Sequence, residues 1–179
     1  MSLGGKPSRL ALIGFMGCGK SVVGQRVARQ IGWTFIDCDT YIEKRIGVSI
    51  PEIFENFGEE YFRTLETKVL LELTEGGERL VLATGGGLPT QERNWAILEK
   101  NFVTFFLRVS FPLLFERIRE SPQRPLVKKY PTPQELRRLY EQRIPFYERA
   151  HVIIDADFLT EEEVAEKIIF HARDYGLIK

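Results

Sequence analysis

Gly14-Phe15-Met16-Gly17-Cys18-Gly19-Lys20-Ser21 decides the fold of this chain. The stretch fits G-x-x-x-x-G-K-[ST] without adjustment. It follows the apolar run RLALI at 9–13 and opens a helical pattern over 21–31. That context gives the spacing its purpose. Glycines let successive backbone N–H groups turn inward around phosphate oxygens, and a helix N-terminus adds positive potential. Lys20 is then placed to reach the β- and γ-phosphates of a nucleotide, and the Ser21 hydroxyl to sit on Mg²⁺. A dinucleotide fold competes on paper, because Gly17-Cys18-Gly19 begins a G-x-G and Asp37 follows about 20 residues later. Val22 stands where its third glycine belongs, and Lys20-Ser21 would serve no purpose. That reading fails.

Working outward, four more apolar runs follow, at 33–36 (WTFI), 79–83 (RLVLA), 102–107 (FVTFFL) and 151–154 (HVII). They are near-continuous rather than alternating, the pattern of parallel strands covered on both faces. Helical stretches separate them. Ser49, Thr132 and Thr160 each stand three residues before a Glu, so hydroxyl and carboxylate can satisfy the free N–H groups of a helix start reciprocally. Gly32, Gly47 and Gly176 mark helix ends. Strand–helix alternation repeated five times predicts a three-layer α/β fold with a parallel sheet. Two stretches break the rhythm. Residues 39–74 are almost all helical pattern, more than a crossover needs, and read as a substrate-side segment. SPQRPLVKKYP at 121–131, with three prolines and three basic residues, reads as a functional loop.

The chain has 179 residues, which suits a single domain over 9–179 behind a flexible leader at 1–8. Lys plus Arg (25) balance Asp plus Glu (25), which argues against a nucleic-acid binder, whose affinity rests on neutralising phosphates. No apolar run approaches the roughly 18 residues needed to cross a bilayer, and the N-terminus lacks the apolar core of a signal peptide. Cys18 and Cys38 are too few for a disulfide framework, so a reducing compartment, the cytoplasm, is expected.

Metal and acceptor need further groups. Many enzymes with this loop end another strand in an acid that supports Mg²⁺. Here the third run ends in Thr84-Gly85-Gly86-Gly87 instead, a backbone that something can approach closely. The second run ends in Asp37-Cys38-Asp39, at the strand edge where open α/β sheets bind ligands. Alternation along an extended strand end points both carboxylates the same way. One can support the metal while the other orients the acceptor hydroxyl or takes its proton; alternatively, one caps the next helix. Arg63, Arg117, Arg124 and Arg143 are candidates for planar, bidentate recognition of carboxylate or phosphate, with Arg124 in the basic loop suited to close over the γ-phosphate.

Gly14 to Ser21, Asp37-Cys38-Asp39, Phe62-Arg63-x-x-Glu66, Gly85-Gly86-Gly87, Arg124-Pro125-Leu126 and Arg143-x-x-x-Tyr147 together resemble the shikimate kinases, in order over positions 9 to 155. The resemblance implies a five-stranded parallel sheet in order 2-3-1-4-5, and transfer of phosphate from ATP, with Mg²⁺, to the 3-hydroxyl of shikimate. It also implies a monomer. Under it, Gly17, Cys18, Gly19, Lys20, Ser21 and Val22 bind the nucleotide, Arg117 flanks the adenine, and Arg124 is the lid residue at the phosphates, in a lid spanning 120–131. Asp39 binds the shikimate hydroxyls and serves as or near the base. Arg63 and Arg143 hold the carboxylate beside Gly85, Gly86 and Gly87, and Asp37 supports Mg²⁺ next to Ser21. Another small-molecule kinase on the same scaffold, for gluconate or a nucleotide, is the alternative.

Overall fold

The computed structural model describes residues 8–76, 79–120 and 128–179. Five parallel strands form one sheet in the order β2-β3-β1-β4-β5. This is the order that the resemblance implies. β1 (Arg9–Ile13) is central, and Leu10, Ala11, Leu12 and Ile13 are wholly buried. Its residue Leu10 faces Val81 of β3 (Leu80–Ala83) on one side and Val103 of β4 (Val103–Arg108) on the other. β2 (Thr34–Asp37) and β5 (Val152–Asp155) are the edges. The chain leaves β1 toward one edge and later returns to its other side, so a crevice opens above the C-terminal ends of β1, β3 and β4.

The expected strands form, with shifts of one residue that have local causes. Trp33 belongs to the end of α1 (Lys20–Ile31), because its N–H donates to the Ala28 carbonyl past the left-handed Gly32. Phe102 closes α4 (Glu92–Asn101) in the same way, onto the Leu98 carbonyl. β5 departs from the two-sided burial expected of these runs. Val152 and Ile154 are buried while Ile153 and Asp155 face outward, as an edge strand permits.

The capped helices start where the sequence marks them. Ser49 opens α3 (Ile50–Glu75), Thr132 opens α6 (Pro133–Tyr147) and Thr160 opens α7 (Glu161–Asp174), each with both bonds of the reciprocal cap present. α2 (Cys38–Ile46) precedes them, and a short 3₁₀ turn (Leu88–Thr90) and α5 (Phe111–Arg119) lie between α3 and α6. α3 is broken at Gly58, whose φ of 82° and ψ of 168° are non-helical. The break separates a first arm, carrying Ile50 and Phe54, from a second carrying Phe62, Arg63 and Glu66, and both arms wall the same cleft. The expected leader falls mostly on residues outside the described ones, as do positions 121–127 of the expected loop, Arg124 included.

Candidate active site

The loop after β1 is shaped by its own lysine. Lys20 opens α1, and its Nζ donates back to the carbonyls of Gly14 (2.7 Å) and Phe15 (3.1 Å). Gly19 precedes the helix in a left-handed conformation and offers no side-chain cap, so the first N–H groups of α1 point into the loop. Gly17, Gly19, Lys20, Ser21 and Val22 line a cleft of about 740 Å³. Cys18 turns its side chain into the core, and its N–H donates to the Phe15 carbonyl at 3.2 Å. Across the loop, Arg117 of α5 donates to the Gly17 carbonyl at 3.0 Å.

Asp37 and Asp39 both reach this cleft, but not by strand alternation. β2 ends at Asp37, and Cys38 is already helical, so Asp39 arrives from the first turn of α2. The capping residue is Asp37. One of its carboxylate oxygens accepts from the Thr40 N–H at 3.0 Å, and the other accepts from the Ser21 hydroxyl. This pair of hard oxygen groups at the mouth of the loop suits Mg²⁺, which keeps several waters and leans on phosphates rather than on a protein cage. Among the described residues, no group of three or more acids, histidines or cysteines gathers that could hold a metal.

The triple glycine after β3 forms the opposite wall. A Cβ on Gly87 would overlap the Arg63 guanidinium, and one on Gly86 would lie 3.3 Å from Arg143 Nη1. A side chain at 87 would displace the Arg63 guanidinium, and one at 86 would crowd Arg143 by a few tenths of an ångström. Arg63 is held by its own helix: Nη1 donates to Glu66 (2.7 Å) and Nη2 to Glu59 (3.0 Å). Glu59 in turn accepts from Lys129 at 2.6 Å. Arg143 comes from α6, with its guanidinium 5.7 Å from the Phe15 ring centre.

Asp39 and Glu66 converge on Gly85, where a Cβ would meet Glu66 Oε1 at 2.7 Å and Asp39 Oδ1 at 2.9 Å. Those two oxygens and Arg143 Nη1 are buried without a hydrogen-bond partner among the described residues. Burial, reinforced by Asp37, pushes the Asp39 carboxyl up to about 6, with Lys20 and Arg63 pulling the other way. Burial likewise pushes Glu66 up to about 7, against the attraction of Arg63. Three unsatisfied polar atoms thus face one cleft, two carboxylate and one cationic. Buried groups of this kind cost stability unless something else supplies their bonds.

Glu66, Glu59 and Tyr147 are site neighbours to which the sequence reading assigns no role. The signal for the two glutamates was present: Glu59-x-x-x-Arg63-x-x-Glu66 places opposite charges at helical spacing. That Glu66 would also meet Asp39 across Gly85 depends on how α3 packs against α2 and the turn after β3, which spacing does not reveal.

A phosphate-binding loop at the switch point of a parallel 2-3-1-4-5 sheet, faced by acids and arginines, defines a P-loop phosphotransferase. The family profile described as shikimate kinase matches residues 16–173. A shikimate kinase of Thermodesulfovibrio yellowstonii is 44% identical over 160 residues, covering 89% of this chain and 92% of that protein. One from Aquifex aeolicus is 39% identical, covering 90% and 94%. The solved structure of the shikimate kinase from Acinetobacter baumannii in complex with shikimate superposes with a TM-score of 0.88 at 38% identity, covering 95% of this chain and 94% of that one. The chain belongs to the shikimate kinase family.

Proposed function

We propose that this chain transfers the γ-phosphate of ATP to the 3-hydroxyl of shikimate, giving shikimate 3-phosphate and ADP. The observation that carries this is the arrangement of one cleft. The phosphate loop forms one wall, Arg63 and Arg143 rest on a glycine platform opposite, and Asp39 shares the same cleft. A small acid with a hydroxyl group fits that polarity, carboxylate toward the guanidinium groups and hydroxyl toward Asp39.

In this reading the amides of residues 17–22 and the Lys20 ammonium bind the phosphates. Lys20 exchanges the Gly14 and Phe15 carbonyls for phosphate oxygens. Ser21 and Asp37 hold Mg²⁺, which supplies charge neutralisation at the phosphates when bound. Arg63, Arg143 and the backbone at Gly85, Gly86 and Gly87 fix the shikimate carboxylate. Asp39, with its carboxyl at about 6, is ionised at neutral pH and accepts the proton of the 3-hydroxyl. The oxygen forms its bond to the γ-phosphorus as the bond to the β-phosphate oxygen breaks, and ADP leaves. Arg117 flanks the adenine and Arg124 closes at the phosphates, with residues 39–74 as the acceptor-binding segment and 120–131 as the lid. The chain acts as a monomer in the cytoplasm. Two free, buried cysteines support a reducing compartment, and no helix among the described residues is long and apolar enough to cross a membrane.

The test is ADP release from ATP and Mg²⁺ with shikimate, gluconate or AMP offered in parallel. Release that depends on shikimate alone is expected. Turnover of another acceptor with shikimate inert would overturn the assignment.

A further inference from the structure

α6 ends in a tyrosine that the chemistry above does not use. Tyr147 is wholly buried, and its ring packs 5.2 Å from that of Phe106 on β4. Packing alone would be served as well by phenylalanine. A hydroxyl taken out of water costs free energy unless it finds a partner, and this one has a backbone carbonyl within reach. It donates to the Gly86 carbonyl at 2.6 Å. Burial raises the phenol well above its ordinary range, so it stays protonated, and hence a donor, at any working pH.

The acceptor lies in the middle of the platform. A peptide between two glycines meets almost no steric barrier to reorientation, so little in Gly85-Gly86-Gly87 itself selects the direction of its amides. In a planar trans peptide the C=O and N–H point in opposite directions. With the Gly86 carbonyl bonded to a phenol in the core, the Gly87 N–H is turned away from the core. Among the described residues, the Gly86 and Gly87 N–H groups donate to no backbone carbonyl. Tyr147 also stands one helical turn beyond Arg143, on the same face of α6. One helix therefore delivers the guanidinium that rests on Gly86 and the hydroxyl that fixes Gly86.

We propose that Tyr147 is a positioning residue for the acid acceptor, locking the Gly86–Gly87 peptide so that platform and Arg143 present one preformed carboxylate site. The inference rests on the shikimate reading given above. It assigns to the phenol hydroxyl a share of the enzyme's preference for a carboxylate.

The experiment compares wild type with Tyr147→Phe, which keeps the ring and removes only the bond. KM and kcat are measured for shikimate, for its carboxamide and for ATP, alongside melting temperature and the affinity for an ATP analogue. Loss of one such bond should raise the shikimate KM roughly three- to tenfold. The carboxamide KM should rise less, so that the discrimination between the two acceptors shrinks, with ATP binding unchanged. An unchanged ratio of shikimate to carboxamide KM overturns the proposal, even if the protein is less stable. So does a parallel weakening of shikimate and ATP binding, which would mark general loosening of the fold. The valine variant Tyr147→Val removes the ring together with the hydroxyl; discrimination at least as low as in the phenylalanine variant is expected, and retained discrimination contradicts the proposal. If the wild-type enzyme leaves shikimate unphosphorylated, the parent reading fails first.

Discussion

Lys20 and Glu66 carry opposite lessons about single residues. Lys20 is held by two loop carbonyls, so it shapes the loop to which the proposed function assigns the phosphates. Lys20→Ala should abolish turnover while the fold survives; near-normal kcat in that variant would contradict the phosphate role. Glu66 makes a prediction about pH. Burial keeps it protonated in the native chain up to about 7, whereas its ordinary value is 4.5. Between those values the native chain binds more protons than the unfolded one, so this residue's contribution to stability falls as pH rises through the window. Glu66→Gln imitates the protonated form at every pH. It should melt like wild type near pH 4 and gain on it steadily toward about pH 8 in the absence of substrate. A melting difference that does not change with pH would sink the argument. Lys20 was legible because the motif fixes its neighbours along the chain. The burial of Glu66 was not, because the groups around it come from α2 and from the glycine loop after β3.

At the scale of elements, caps and loops were legible where the signal is local, and Ser49, Thr132 and Thr160 illustrate it. Asp39 illustrates the limit. Reading 35–39 as extended backbone put both carboxylates at the cleft for the wrong reason, because Asp37 caps a helix that begins one residue later. The bend in α3 was hidden as well, since a lone glycine in a helical pattern looks like a tolerated weak point. Gly58 instead adopts φ 82° and ψ 168°, a conformation almost confined to glycine. No atom lies within 4 Å of where its Cβ would stand, so any cost of substitution comes from the backbone alone. Gly58→Ala should lower the free energy of urea unfolding by about 1–3 kcal/mol. Unchanged stability would mean that α3 can straighten freely, and that the bend does not set the angle between its two arms.

For the whole molecule, equal numbers of acidic and basic residues leave no net charge to draw an anion in from a distance. Recognition of an acid must then come from local convergence, and topology provides it. Arg63 and Arg143 are 80 positions apart (143 minus 63), on α3 and α6, yet both lie against one stretch of backbone after β3. If they grip one carboxylate, their contributions cannot be independent, because losing one guanidinium lets the acid shift away from the other. Lysine is the better substitution at both positions: it keeps a positive charge beside the buried Glu66 while removing the planar fork. Arg63→Lys and Arg143→Lys should each weaken shikimate binding by about 1.5–3 kcal/mol and spare ATP. The double variant should lose less than the sum, by roughly 0.5–3 kcal/mol. Titration calorimetry with shikimate on the four proteins measures that difference directly. Losses that add to within about 0.5 kcal/mol would place the two arginines on separate groups of the ligand, and the shared carboxylate clamp would have to be given up.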